Sequence, residues 1–554
     1  MSAGAILVRL HIRMLCFRGS KHRTSTLLDI LNRRRLSRMP PFSLSGSGEC
    51  QPRLTAVALV CACCLLGVSP CRAEEAVIRA GISLEVRLST PISSRQSKPG
   101  DRVSGTIIAP VLAEDRQVLL ANATISGSIE HVQRLGFGLK HEIARLAFRF
   151  DSLTLPDGQR FPILTRIRKI EDARERVDQM GNVDGILPVA NVSSGISFAI
   201  STLLLHTGLT APAAIVKVVI ARSPDSEIYL PAGTELLVQL ESSLSMNLPQ
   251  SVGQTTPPLS DGDRHRVEQL LATVPVQQTM SGRMQHSDLV NVLLLGTAKQ
   301  VDTAFHRADW TGENRRGVLA LFRMYHGLVQ RMGYSNLPMA PLTLNGVRAT
   351  RTYQKSLNTI AKRHHVRLWN QFEPDAWLGA ATEDIGYRVR DMHVTHAIDL
   401  SIDNERAKVV NDLWFSGCVQ AASLLPRLSL QVADDGVSPL MTDGDIAVVR
   451  LKTCDAALPA AQHPTRLTRA VEALEAVGLD TVRANPFTVG LLVSRSVAMH
   501  CRRSDRTDPS VVNAQTWQRP IAIEVAPLPA VQQPVPSGGA NDFSQVRCNI
   551  TPPK

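Results

Sequence analysis

The string KRHHVRLW at residues 362–369 is followed by WLGAATEDIG at 377–386, HVTHAID at 393–399 and DNERAKVVNDL at 403–413. No other stretch of the chain places so many histidines, arginines and acidic residues beside aromatic anchors. The first and third segments include strand-like patterns, and the fourth has the spacing of an amphipathic helix. This stretch therefore predicts strands followed by a helix.

Further strand and helix patterns precede this stretch. Residues 290–295 predict a buried strand that ends at Gly296, and residues 297–310 and 317–332 have helical spacing. In the helix predicted at residues 403–413, Asp399, Ser401 or Asp403 can serve as the N-cap. The buried stripe of this helix comprises Val409, Val410 and Leu413. An α/β domain is therefore expected over residues 264–425.

The N-terminal half has a different pattern. Residues 82–88, 103–107, 146–150 and 161–167 alternate between apolar and polar positions, and turn sequences separate them. Repeated short strands predict a small barrel or sandwich. The expected fold class is α+β multidomain, with a β-rich N-terminal barrel or sandwich domain followed by the α/β domain.

The domain prediction divides the whole chain. Its parts are a leader over residues 1–73, a β-rich domain over 76–246 with an apolar α-hairpin at 185–222, a linker at 247–263, the α/β domain at 264–425, a strand-rich extension at 426–526 and a loose tail at 527–554. The alternative for residues 185–222 is a membrane hairpin, which Gly208 and Pro212 disfavour.

The leader resembles a secretory signal peptide. An apolar core at residues 54–68 follows Arg53, and Ala73 supplies the small residue at the expected cleavage site. The prediction is a secreted or periplasmic protein, and the alternative is a membrane anchor formed by an uncleaved core. The mature chain retains Cys418, Cys454, Cys501 and Cys548, which allow two disulfides in any of three pairings.

The charge distribution argues against nucleic-acid binding. The net charge is +12, but residues 1–73 contain eleven Lys or Arg against Asp29 and Glu49, so only +3 remains for the rest. That charge is too small to favour a phosphate backbone.

Several blocks of residues 286–425 resemble the LssY C-terminal domain family, chiefly those at 361–369 and 377–382. The resemblance implies a bacterial protein associated with the cell envelope and defines no biochemical activity. In some members the domain accompanies a membrane lipid-phosphatase region. This chain has no such multi-span region, so the resemblance does not imply phosphatase activity.

One candidate site is basic. Strand periodicity predicts that His365 and Arg367 share one face while His364 points to the other. With Lys362 or Arg363 at its edge, this face suits an anion, because arginine presents a planar bidentate fork. The predicted anion-binding residues are Lys362, Arg363 and Arg367. The alternative is an internal ion-pair network with Asp384, Asp399 or Asp403.

A second candidate site is catalytic. If His396 and Asp399 lie near His365 in the fold, the three residues can perform acid/base chemistry, as in a phosphoester hydrolase; the lesser alternative is a metal site of nitrogen and oxygen ligands. The favoured prediction has no metal site and no cofactor, because two adjacent histidines on a strand cannot easily bind one metal and the sequence has no nucleotide-binding motif.

The favoured function is binding or assembly in the envelope. The expected partner is an envelope protein or an anionic lipid or phosphate ligand, with possible association at a membrane surface and no nucleic acid. The alternative function is the hydrolase that uses His365, His396 and Asp399.

Overall fold

The computed structural model describes residues 74–113, 116–118, 120, 123–135, 141, 143–187, 203, 216, 223–248, 256–274, 277–280, 286–390, 393–427, 441–454, 491 and 518–523. These residues belong to one compact unit, Arg72–Lys554. The described part is mostly β-strand with few helices.

The strands of the N-terminal part are β1 Glu74–Ile78, β2 Ser83–Leu88, β3 Ile92–Ser93, β4 Arg102–Ile107, β5 Val111–Ala113, β6 Arg116–Val118, β7 Thr124–Gln133, β8 Arg145–Thr154, β9 Arg160–Pro162, β10 Thr165–Ile170, β11 Arg176–Val177, β12 Val183–Asp184, β13 Tyr229–Leu230, β14 Glu235–Leu240 and β15 Leu244–Leu248.

The elements that follow are α1 Asp261–Leu271, β16 Gln277–Met280, β17 His286–Leu289, β18 Val292–Leu295, α2 Ala298–Arg307, β19 Thr311–Gly312, α3 Val318–Gln330, β20 Leu342–Leu344, β21 Val347–Arg348, β22 Arg351–Lys355, β23 Arg363–Trp369, β24 Ala376–Arg390, β25 His393–Ile398, α4 Ile402–Phe415, β26 Val419–Pro426 and β27 Asp445–Leu451.

The N-terminal sheet is barrel-like and nearly closed. Its strands run in the order β10-β14-β2-β4-β7-β8-β12-β11, and β9 pairs with β8. The two ends of this order come close together, since β10 approaches β8. The hydroxyl of Thr165 in β10 donates to the carbonyl of Phe150 in β8 and accepts from the N–H group of Phe150. Alternating apolar residues of these strands fill one core. The predicted β-rich barrel is therefore confirmed at this level.

The second sheet is mixed. Its order is β19-β22-β23-β24-β18-β27-β26, and β25 pairs with the far half of β24. Strand β18 is antiparallel to β24 but parallel to β27. All four residues of β18 are buried, as the uninterrupted apolar run predicted. Because β27 pairs with a central strand, this sheet continues beyond residue 425.

Two helices cover this sheet as expected. Helix α2 begins with a capping box in which Thr297 and Gln300 satisfy each other's backbone N–H groups. Helix α4 begins after Ser401, although no side chain caps it. Its Val409, Val410 and Leu413 are completely buried, which confirms the predicted stripe.

Some predicted segments differ or lie elsewhere. Residues 261–263, predicted as linker, form the first turn of α1 because Ser260 caps it through the N–H group of Asp263. Cys418 and Cys454 form a disulfide. The leader, Cys501, Cys548, most of residues 185–222 and the tail lie outside the described residues. Within the described residues, no helix is long and apolar enough to cross a membrane.

Candidate functional site

The side chains of strand β23 point alternately to two faces, and each face meets a different group of charged residues. All seven of its residues are buried. Arg363, His365 and Arg367 contact carboxylates on one side, while His364 contacts carboxylates on the other. The predicted opposition of His364 and His365 is therefore confirmed. We call the two groups the Asp384 cluster and the His364 cluster.

The arginines of the Asp384 cluster already have carboxylate partners. Arg363 donates to Asp384 at 2.7 Å and to Gln354 at 3.0 Å. Arg367 donates to Asp288 at 2.8 Å. The pair of Arg363 and Asp384 belongs to the internal ion-pair network that was the alternative to an anion site, whereas Asp288 was not among the acids predicted for it.

Lys362 is placed differently from the two arginines. It is half-buried, and no carboxylate within ion-pair distance contacts it among the described residues. Burial lowers the pKa of Lys362, and the neighbouring charge of Lys169 lowers it further. Of the three predicted anion-binding residues, Lys362 therefore has the least satisfied charge.

Two of the three predicted catalytic residues meet at Asp384. His365 Nε2 lies 3.4 Å from Asp384 Oδ1, and His396 Nδ1 lies 3.4 Å from Asp384 Oδ2. Burial favours a raised pKa for Asp384, but the charges of His365, Arg363 and His396 outweigh it and hold this pKa well below its usual range. Asp384 is therefore ionised between the two imidazoles.

The outer edge of this cluster is partly exposed. The His396 side chain is 29% exposed, and its ring centroid lies 5.0 Å from that of Tyr387. Burial lowers the pKa of His396, so its imidazole is neutral near pH 7. Burial also raises the pKa of Tyr387 to about 12. A neutral, accessible imidazole is a suitable proton acceptor.

Asp399 belongs to different surroundings. Its Oδ1 accepts the N–H group of Ser401, and burial raises its pKa. The charges that act on it come from Glu383, Lys169 and Glu405 rather than from the histidines. The acidic residue beside His365 and His396 is therefore Asp384, whereas the sequence analysis predicted Asp399.

The His364 cluster lies between the barrel and the second sheet. His364 is completely buried, and its Nδ1 lies 2.7 Å from Glu405 of α4. Its Nε2 faces Glu171 at 3.4 Å and Asp172 at 3.3 Å, both of which directly follow β10 of the barrel. Asp172 adopts a left-handed backbone conformation with φ 51°.

Two long basic side chains enter the same cluster. Lys169 lies 3.1 Å from both Glu171 and Glu383. Arg519 pairs with Glu85 at 2.6 Å and lies 3.6 Å from Glu171. Burial and the surrounding negative charges raise the pKa of Asp172 to about 7. The cluster therefore joins the barrel to β23, β24 and α4.

A second buried network joins the same two sheets. Lys355 of β22 contacts Glu235 of β14 at 2.7 Å and Asp412 of α4 at 3.1 Å. Lys408, 1% exposed, bonds the same two carboxylates, and Arg87 of β2 pairs with Glu235. The contact between the sheets is therefore strongly ionic.

The sequence did not predict the His364 cluster. Alternation along β24 places Glu383 and Asp384 on opposite faces of the sheet. The sequence could therefore have predicted that Glu383 lies on the same face as His364. Glu171 and Asp172 lie almost 200 residues earlier, and only the packing of the barrel brings them to His364.

A further surface is formed by one side of α3. We call this surface the apolar face of α3, and it comprises Val318, Leu321, Phe322, Tyr325 and Leu328. Their exposure ranges from 38% for Tyr325 to 87% for Val318. A helix of a globular domain normally turns such a stripe toward the core. Here only Ala320, Gly327 and Val329 of the helix are buried.

Three comparisons relate the chain to known proteins. No curated protein matches. The solved structure of ComB10 of the Com Type IV secretion system of Helicobacter pylori is 12% identical, and the match covers 32% of this chain and 95% of that one with a TM-score of 0.18. That score is too low to establish a shared fold. Residues 271–446 match the family described as LssY C-terminus. The elements of this matched segment run from the end of α1 to the start of β27, and the segment is similar to that family.

Proposed function

We propose that this protein is an exported cell-envelope protein that associates with an anionic lipid surface through the apolar face of α3. The exposure of that face is the observation that carries the proposal. Residues 318, 321, 325 and 328 follow the three- and four-residue spacing of one helical stripe. Burying a large apolar side chain contributes about 1.5–3 kcal/mol, so a stripe of several supplies enough energy for interfacial binding.

The charges around α3 indicate which kind of lipid surface the helix would bind. Helix α3 contains no acidic residue, and Arg315, Arg316 and Arg323 are exposed at its start and on its surface. At its other end, burial and the nearby charges of Arg174 and Arg176 lower the pKa of Arg331. Positive charge near both ends of an apolar helical face favours anionic lipid headgroups.

In this proposal the arginines around α3, and not those of β23, contact the anionic lipid. Arg363 and Arg367 are buried and bound to Asp384 and Asp288, whereas the arginines around α3 are exposed. Helix α3 has 13 residues, which corresponds to about 20 Å. It fits a position flat on the membrane surface, as interfacial helices adopt. The anion site at Lys362, Arg363 and Arg367 stays a prediction.

Vesicle co-sedimentation tests the proposal. The chain is used from Glu74 onward, because the predicted apolar segment at residues 54–68 would bind lipid by itself. We expect it to sediment with vesicles of phosphatidylcholine and phosphatidylglycerol and much less with phosphatidylcholine alone. The double variant Leu321→Glu, Phe322→Glu should bind at least tenfold more weakly, since each change removes an apolar contact and adds repulsion.

The matched control is Met180→Glu, because Met180 is 74% exposed but lies outside α3. This variant should bind vesicles like the wild type. Equal binding by the double variant would contradict the proposal. Conversion of a wild-type dimer into a monomer by the same double variant, without lipid binding, would identify a second copy as the partner instead.

One observation favours a second candidate function, a phosphoester hydrolase. His365 and His396 flank ionised Asp384, and His396 is partly exposed. Hydrolysis of p-nitrophenyl phosphate should then be lost in His396→Ala with the fold intact. Phe322→Glu should leave that activity unchanged. Absence of turnover by the wild type would exclude this substrate class and leave the binding role.

A further inference from the structure

The His364 cluster contains donor atoms at the separation that a metal ion imposes. Glu171, His364 and Glu383 each place one ligand atom within 4.8 Å of the others. His364 Nε2 lies 3.4 Å from Glu171 and 3.3 Å from Asp172. These distances are long for hydrogen bonds, but two donors of a tetrahedral zinc ion lie about 3.3 Å apart when each bond is about 2.0 Å.

Buried atoms of the same residues have no hydrogen-bond partner among the described residues. These atoms are His364 Nε2, Glu171 Oε1 and Asp172 Oδ1. The three side chains are at most 5% exposed. Leaving such an atom unsatisfied costs about 1–3 kcal/mol, and more when the group is charged. A further bound group could satisfy all three of these atoms.

The orientation of His364 suits metal ligation. Its Nδ1 lies 2.7 Å from Glu405, which can accept the Nδ1 proton, and loss of the Nε2 proton to a metal ion would leave the Nε2 lone pair directed at Glu171 and Asp172. A histidine held between a carboxylate and a metal is a common arrangement, because the carboxylate fixes the tautomer and the ring.

The charges in this cluster point to a divalent cation. Five buried carboxyl groups surround two basic side chains, with Lys362 half-buried at the edge: Glu85, Glu171, Asp172, Glu383 and Glu405 against Lys169 and Arg519. With His364 neutral, as a metal ligand must be, two negative charges remain when Lys362 is counted as a cation and all five carboxyl groups are ionised. In the metal-free cluster, burial opposes a charge on His364, but the neighbouring carboxylates outweigh it and raise its pKa. Buried charge of one sign is costly unless it is compensated.

We propose that His364, Glu171, Asp172 and Glu383 form a binding site for a divalent first-row transition-metal ion. One imidazole with several carboxylates suits Zn²⁺, Mn²⁺ or Fe²⁺, and Zn²⁺ should bind most tightly of the three. Glu171 and Asp172 follow a barrel strand, and the other two residues lie on the second sheet. The ion would therefore link the two sheets. This inference departs from the absence of a metal site predicted from sequence, and it does not depend on the lipid proposal.

Lys169 makes the proposal unusually testable. Its ammonium group lies 3.1 Å from Glu171 and Glu383, so it competes with a metal ion for the same oxygen atoms. Lys169→Met removes the competitor and should increase Zn²⁺ affinity several-fold. In a purely structural ion-pair cluster, the same change would only destabilise the protein.

The experiment measures Zn²⁺ binding to the purified full chain by equilibrium dialysis with elemental analysis, together with Tm. We expect one Zn²⁺ per chain and a Tm that rises with Zn²⁺ concentration. His364→Gln, Asp172→Asn and Glu383→Gln should each weaken binding at least tenfold. His365→Gln is the matched control, since His365 is the next residue of β23 and faces the opposite side; it should bind like the wild type.

Circular dichroism establishes that each variant is folded. Failure of the wild type to bind Zn²⁺, Mn²⁺ and Fe²⁺ would overturn the proposal. So would wild-type affinity in folded Asp172→Asn and Glu383→Gln. If His364→Gln does not fold, the conservative carboxamide variants and the direction of the Lys169→Met effect still decide the question.

Discussion

Lys408 shows how much a single buried charge contributes at this interface. It is 1% exposed, and its ammonium group lies between Glu235 of the barrel and Asp412 of its own helix. Burial disfavours the charged form, but the two carboxylates outweigh it and raise the pKa of Lys408. The residue is therefore a cation in the folded protein, and both carboxylates depend on it.

Lys408→Met should lower the free energy of unfolding by about 3–5 kcal/mol, because it leaves buried carboxylates without part of their compensation. Urea denaturation measures the change. Arg351→Met is the control, since Arg351 and Asp302 form a largely exposed pair worth about 0–1 kcal/mol. Equal effects of the two substitutions would contradict this interpretation of Lys408.

At the scale of the element, the approach of β7 to β8 depends on a glycine. The pairing of these strands shifts register between Ser126 and Gly127. A Cβ at Gly127 would overlap the carbonyl oxygen of Arg149 and lie 2.6 Å from the Cα of Phe150. Both contacts are with backbone atoms, which cannot rotate away. The bulge therefore requires glycine for close approach.

Gly127→Ala should destabilise the protein by about 3 kcal/mol, since the two strands must separate to admit the methyl group. A lower urea midpoint would report the effect. Gly386→Ala in β24 is the matched control, because a Cβ there meets nothing within 4 Å. That variant should remain within about 1 kcal/mol of the wild type.

At the scale of the molecule, buried ion pairs join the barrel to the second sheet. Glu235 and Asp412 share Lys355 and Lys408. Burial favours raised pKa values for Glu235 and Asp412, but these cations outweigh it and lower both. The stability of the contact between the sheets is therefore linked to pH.

The sign of this linkage follows from the lowered pKa values. Both carboxyls bind protons more weakly in the folded chain, so their contribution is complete above the unfolded pKa of about 4 and is lost as pH falls below it. The free energy of unfolding should therefore decrease between about pH 4 and pH 2. Glu235→Gln should show a shallower decrease when urea midpoints are compared across this range. An identical slope in both proteins would assign the acid sensitivity to other groups.

The sequence by itself determined the local elements and which side of a strand each residue occupies. Period-two alternation separated His364 from His365, and helical spacing identified the stripe of α4, because both depend only on backbone geometry within one element. The blocks around Trp369 and Trp377 were also sufficient to indicate the LssY C-terminus family.

Only the tertiary structure decided which charges meet. Asp384 rather than Asp399 stands beside His365 and His396, because Asp399 lies just after β25, where the charges of Glu383, Lys169 and Glu405 act on it instead. Glu171 reaches His364 only because the barrel packs on β23, and the apolar side of α3 remains outside although its spacing is that of a core helix. Periodicity fixes the face on which a side chain lies, whereas the partner on that face is set by the packing of distant segments.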